Sequence, residues 1–155
     1  MKGFRIRRLR VKDIPEVVEI LELTTKRKVP ATWRTTVEKL LRRRYFVGFA
    51  ATSQGKVLGF IIGEIKGIGF GLVESGWIVV IAVHPQHMGS GIGKALAERL
   101  LQFFKKSGIE DIYTSVRWDA VDMLSFFKSI GFDRSEFINL GKHLKREEKD
   151  RRNGR

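Results

Sequence analysis

Cysteine is missing altogether from the 155-residue chain. Its absence excludes disulfides, thiolate metal sites and any mechanism that runs through a cysteine nucleophile, and it fits a reducing, cytoplasmic setting. Long apolar runs are missing too. None reaches the length of a membrane span, and the basic N-terminus is not followed by the apolar core of a signal peptide, so no membrane partner is expected. No internal repeat is present. Tyrosine occurs only twice, at Tyr45 and Tyr113. Acidic residues are scarce, with 17 Asp and Glu against 30 Lys and Arg and a formal charge of +13.

The length and a hydrophobic content of 43% suit one globular domain with a real core, and are too small for two typical ones. The charge is unevenly placed. Residues 1–45 carry 14 basic against 5 acidic side chains, residues 142–155 carry 7 against 3, and the middle, 46–141, is balanced at 9 against 9. A basic surface raises the local concentration of any polyanion. It also keeps a protein soluble, and the sequence leaves both readings open. A primary role in nucleic-acid or ribosome binding is not expected, because the basic ends lack the interleaved aromatics of a single-strand binder.

Periodicity predicts the elements. Phe4–Arg8 alternates as a half-buried strand does. Asp13 is placed to cap a helix that buries Ile14, Val17, Val18 and Leu21, with Glu16, Glu19 and Glu22 on its other side. The basic loop Lys26–Pro30 leads to a helix over Trp33–Arg44, followed by strands over Tyr45–Thr52 and Val57–Ile65 and a loose glycine-rich hairpin at Gly67–Gly71. Trp77–Val83 is an almost continuous apolar run, as expected of a central strand covered on both faces. A helix over Gly91–Ser107 ends at Gly108, a strand covers Asp111–Arg117, a helix over Ala120–Ile130 closes at Gly131, and Phe137–Leu140 reads as a last strand. Residues 142–155 have little to bury and read as a frayed helix or disordered tail. Helices between strands predict an α/β fold, a mixed sheet with helices on both faces.

The chemistry concentrates in Ile81-Ala-Val-His-Pro-Gln-His-Met-Gly-Ser-Gly-Ile-Gly-Lys-Ala-Leu96. Strand, glycine turn and helix together present free backbone N–H groups and a positive helix end to phosphate. A Walker loop fails here, since Met88 stands where its first glycine belongs and Ala95 where its hydroxyl belongs; the dinucleotide pattern G-x-G-x-x-G fails as well. An ordinary strand-helix turn without a ligand is the plain alternative.

The spacing from Val83-x-Pro85 to Gly91 and Gly93 resembles the pyrophosphate loop of the GNAT superfamily of acetyl-coenzyme A-dependent N-acetyltransferases, with Met88 where that family usually has Gln or Arg. Phe4–Asp13 is similar to the family's first strand and helix start, Gly55–Gly63 to its second hairpin, and Phe126–Phe132 to the end of its last helix, so the resemblance covers roughly residues 4 to 141. It implies a mixed, mostly antiparallel sheet of about six to seven strands, a single domain over 1–141, and transfer of an acetyl group from acetyl-CoA to a primary amine by direct attack, with no metal. It also implies that dimers are frequent.

Carried over residue by residue, Ile81, Ala82 and Val83 would offer backbone groups to the thioester and pantetheine arm, and Met88, Gly89, Ser90, Gly91, Ile92, Gly93 and Lys94 would cradle the pyrophosphate. Phe127 stands at the position of the thiolate-protonating tyrosine and has no proton to give, which motivates the alternative of a coenzyme-binding module with little catalysis. The asparagine that often contacts the coenzyme arm maps to Ala120, and neighbouring Asp119 either serves the coenzyme or caps the following helix. Amine attack needs a base, and Glu64 and Glu74 are the candidates, though strand carboxylates commonly face solvent. His84 and His87 flank the loop and read as surface polar residues. In the resemblance the segment joining the first two helices lies beside the acceptor groove. Its Lys26-Arg-Lys28, with Arg42-Arg-Arg44 beyond, predicts an acceptor that is acidic around its reactive amine.

Overall fold

The computed structural model describes residues 3–69 and 72–146. Its strands are β1 (Arg5–Arg8), β2 (Phe46–Ser53), β3 (Lys56–Gly69), β4 (Leu72–Val83) and β5 (Ile112–Thr114), and its helices α1 (Ile14–Thr25), α2 (Ala31–Leu40), α3 (Ile92–Lys106) and α4 (Val121–Ser129). The strands form one sheet in the order β1-β2-β3-β4-β5, antiparallel throughout except for the parallel pair β4–β5.

The sheet separates two cores. On one face Ile14, Val17, Ile20 and Leu21 of α1 and Val37 of α2 meet Phe46, Phe60 and Ile62. On the other, Leu96, Leu100 and Phe104 of α3 and Phe127 of α4 meet Val47, Phe49, Ile61 and Ile78. Close seating of α3 depends on glycine. A Cβ on Gly63 would stand 2.7 Å from the Leu100 side chain, and one on Gly76 would stand 3.0 Å from the Phe104 ring.

Several expectations change. The sheet has five strands among the described residues where six to seven were expected. Phe137–Leu140 forms no ladder, and β5 spans three residues in place of seven. The central hairpin is longer than its apolar run: β4 begins at Leu72, because backbone pairing continues through Ser75 and Gly76, whose side chains carry no strand signal. The second helix ends at Leu40, so Arg42–Arg44 lie beyond it in a turn. Asp13 does not cap α1 with its side chain. Its carboxylate accepts from Arg7 at 2.7 and 2.9 Å and from the Arg10 N–H at 2.8 Å. Glu16 and Glu22 are tied to backbone, accepting from the N–H groups of Val57 and Val29. Residues 142–146 have no regular structure, and the rest of the expected tail, 147–155, lies outside the described residues.

Candidate active site

β4 and β5 pair only over Gly76–Ile112, Trp77–Tyr113 and Ile78–Thr114. Beyond Ile78, β4 runs on to Val83 with β3 on one side and no ladder partner on the other. The parting is abrupt because β4 bulges there. Ile62 faces Val80 and Gly63 faces Ile78, which leaves Val79 without a partner in the β3 ladder and 51% exposed. Such a bulge re-aims the strand. The Thr114 hydroxyl donates to the Ile78 carbonyl at 3.0 Å at the last point of contact. Ile81, Ala82 and Val83 therefore line a split in the sheet and are half-buried, unlike the residues of a strand covered on both sides.

The split leads to the glycine loop. A single 3₁₀ turn, Pro85–His87, follows β4; His84 Nδ1 accepts from the Gln86 N–H at 3.2 Å and the Ser90 hydroxyl donates to the His87 carbonyl. The His84 and His87 rings stand 5.6 Å apart, so both brace the loop's entrance. Gly91 is the N-cap of α3 in the left-handed region at φ 83°, a conformation that suits glycine, and no side chain caps the helix. The first intrahelical bond is Ala95 N–H to the Gly91 carbonyl at 3.1 Å, so the preceding N–H groups of Ile92, Gly93 and Lys94 have no acceptor within the helix. Met88, Gly89, Ser90, Gly91 and Lys94 are exposed. An open row of donors at a positive helix end fits a pyrophosphate, and the adjoining split fits an extended arm.

The two candidate bases lie on opposite faces of the sheet. Glu64 sits opposite Phe46 on β2 and Trp77 on β4, and Trp77 sits opposite Tyr113 on β5. Phe46, Glu64, Trp77 and Tyr113 thus form one row across four strands on the face of α1 and α2, a single step before the strands part. Glu74 is exposed, pairs with Gly67 near the far hairpin, and by strand alternation shares the α3 face with Gly76. The row was invisible in the sequence, because its members lie on different strands and only register aligns them.

Two further positions have packing and pairing partners of their own. Phe127 is 5% exposed and packs against Phe126 and Phe132 at ring distances of 5.2 and 5.3 Å, which makes it a core residue. Asp119 neither caps α4, whose N-cap is Ala120, nor stands free; it pairs with Arg117 at 2.8 Å. That exposed pair holds the Asp119 carboxyl below its ordinary range, chiefly through the Arg117 hydrogen bond. Among the described residues no group of three or more His, Cys, Asp or Glu is placed to hold a metal ion, and no helix is long and apolar enough to cross a membrane.

The sheet thus splits beside the uncapped end of α3, with the Glu64 carboxylate on the opposite face. Residues 14–132 match the acetyltransferase (GNAT) family, and the chain belongs to it as an acyltransferase. It is 30% identical over 139 residues to an N-alpha-acetyltransferase of Sulfurisphaera tokodaii, covering 84% of this chain and 81% of that protein. An aminoglycoside acetyltransferase from an uncultured soil metagenomic sample shares the fold at a TM-score of 0.78 and 22% identity, covering 92% of this chain and 97% of its own. A transcriptional regulator from Bacillus halodurans does so at 0.80 and 19%, covering 91% and 99%.

Proposed function

We propose that this enzyme transfers an acetyl group from acetyl-CoA to the α-amine of a protein or peptide, with Glu64 as the base, acting directly or through a water. The observation that carries the reading is the row Phe46–Glu64–Trp77–Tyr113, which presents one carboxylate beside the point where β4 and β5 separate. Acetyl-CoA supplies an activated acyl group whose thiolate, with a pKa near that of a cysteine (roughly 8.5), leaves near neutral pH without full protonation. That property accommodates Phe127, which the core requires. Backbone groups of Ile81, Ala82 and Val83 would align the arm, while Gly91–Lys94 would hold the phosphates. Glu64 accepts the proton released as the amine becomes an amide, and the oxyanion is met by backbone N–H groups of β4.

Two features favour a peptide over an aminoglycoside. The first is the relative in Sulfurisphaera tokodaii, described as an N-alpha-acetyltransferase. The second is charge. Lys26–Lys28 and Arg42–Arg44 are exposed and bracket α2, and the second cluster leads directly into the row, with the Arg43 carbonyl accepting from Phe46 N–H and the Tyr45 carbonyl from Ile65 N–H. An aminoglycoside carries several ammonium groups and would be repelled there; a peptide with acidic residues behind its N-terminus would be drawn in.

A thiol-release assay with acetyl-CoA and peptide, lysine, polyamine and aminoglycoside acceptors tests this reading. Acidic peptides with a free N-terminus are expected to turn over fastest. Glu64→Gln should lower kcat about 100-fold, the ordinary contribution of a general base, with the KM for acetyl-CoA unmoved. Undiminished turnover in that variant, or turnover confined to aminoglycosides, would refute the proposal.

A further inference from the structure

Trp77 is held more firmly than a surface tryptophan needs to be. Its indole N–H donates to the Ser75 hydroxyl at 3.1 Å, and Ser75 is itself only 3% exposed. The Lys66 ammonium stands 4.5 Å from the centre of the ring, and the Tyr113 ring lies 5.3 Å away, tilted by 32°. A side chain fixed in this way loses little further freedom when something binds against it. Trp77 also stands directly opposite Glu64, and directly opposed side chains have Cβ atoms roughly 5 Å apart. An amine presented to Glu64 therefore brings its own substituent to the indole.

The indole lines a groove of about 600 Å³ together with Tyr113 and Phe137, whose rings are 6.1 Å apart, and with Lys128, Asp133 and Arg134. Its charged lining, Lys128 and Arg134 against Asp133, is net positive. A polyamine or aminoglycoside would place a second cation against the indole beside Lys66, where like charge opposes it. An uncharged, flexible side chain meets no such opposition.

Resting on the reading of Glu64 as the base, we propose that Trp77 selects the acceptor by its first side chain. The enzyme prefers peptide N-termini that begin with a long apolar residue of the methionine or leucine class, laid against the indole, with the following residues held in the net-positive groove. Ser75 and Lys66 are positioning residues that fix the ring.

The test uses the full chain, acetyl-CoA and peptides that differ only in their first residue: Met, Leu, Ala or Ser. The parent enzyme is expected to favour Met and Leu by about 30-fold in kcat/KM, within the range that a few methylene groups can supply, mostly through KM. Trp77→Ala should remove about 30-fold from the Met and Leu peptides and at most about threefold from Ala and Ser, collapsing the preference. Trp77→Phe should keep part of it, and Ser75→Ala should narrow it while raising KM more than it lowers kcat. The KM for acetyl-CoA serves as the control for folding, and if Trp77→Ala does not fold, the other two variants carry the test.

Equal loss with every peptide, or a parent enzyme indifferent to the first residue, overturns the proposal while leaving Glu64-dependent peptide acetylation standing. Turnover confined to amines other than peptides overturns both.

Discussion

Asp13 is 3% exposed, and a carboxylate so placed needs partners. Burial alone would raise its pKa, but the Arg7 hydrogen bonds, the Arg10 amide and the nearby positive charge outweigh burial and hold it below the ordinary aspartate value. A lowered folded-state pKa means that the pair's stabilisation is complete above about pH 4, the unfolded value, and fades as pH falls through the lower folded one. Arg7 keeps 28% of its side chain in solvent. Arg7→Ala is therefore expected to cost about 2–3 kcal/mol at pH 7, at or below the low end for a fully buried pair. The gap between variant and parent should close in denaturation curves taken below pH 4. At this scale the sequence was least legible. Asp13 looked like a helix cap because the residue before an apolar periodic stretch usually is one, and nothing in the string of letters shows that Arg7 reaches it across the strand end.

At the scale of elements, α1, α3 and α4 were read well, and the limits of α2, β4 and β5 poorly, for a physical reason. The apolar stripes of α1, α3 and α4 repeat along contiguous sequence, and Gly108 and Gly131 end the last two with φ of 77° and 95°. Strand ends depend instead on which neighbour is present. β4 continues back through Gly76 and Ser75 because β3 is beside it, whereas Phe137–Leu140 has suitable side chains and no ladder. The glycine loop was legible for the opposite reason. Its positive-φ glycines and the uncapped start of α3 are local backbone features, so the spacing of residues along the chain displays them. The same scale holds the prediction about charge. Surface charges are individually worth about 0–1 kcal/mol, so the clusters on either side of α2 act together and mainly on encounter. Replacing Lys26, Arg27 and Lys28 with neutral residues should raise the KM of an acidic peptide severalfold and flatten its dependence on salt, while the KM for acetyl-CoA holds. A parallel rise in both constants would instead assign the cluster to the coenzyme.

Across the whole molecule, the sheet divides the labour. One face, under α3 and α4, carries the uncapped helix end. The other, under α1 and α2, carries Glu64 and Trp77, and β4 parts from β5 beyond Ile78. That Glu64 and Trp77 stand in one row emerges only from register, which a linear reading does not contain.

The missing side chains at Gly63 and Gly76 set the height at which α3 sits on the sheet. α3 rests on them through Leu100 and Phe104, both fully buried and without room to retreat. Its first turn, the end proposed to hold the phosphates, lies about two to three helical turns away. Gly63→Ala adds one carbon beneath the middle of the helix and is expected to cost about 1–3 kcal/mol through overpacking. Because a helix moves as a rod, the carbon should also tilt the row of N–H groups at Ile92–Lys94. Thermal melting and the KM for acetyl-CoA would then change in step across substitutions at 63 and 76, so that a plot of log KM against Tm is a straight line. A variant that melts early yet binds acetyl-CoA as tightly as the parent would show that the loop keeps its own level.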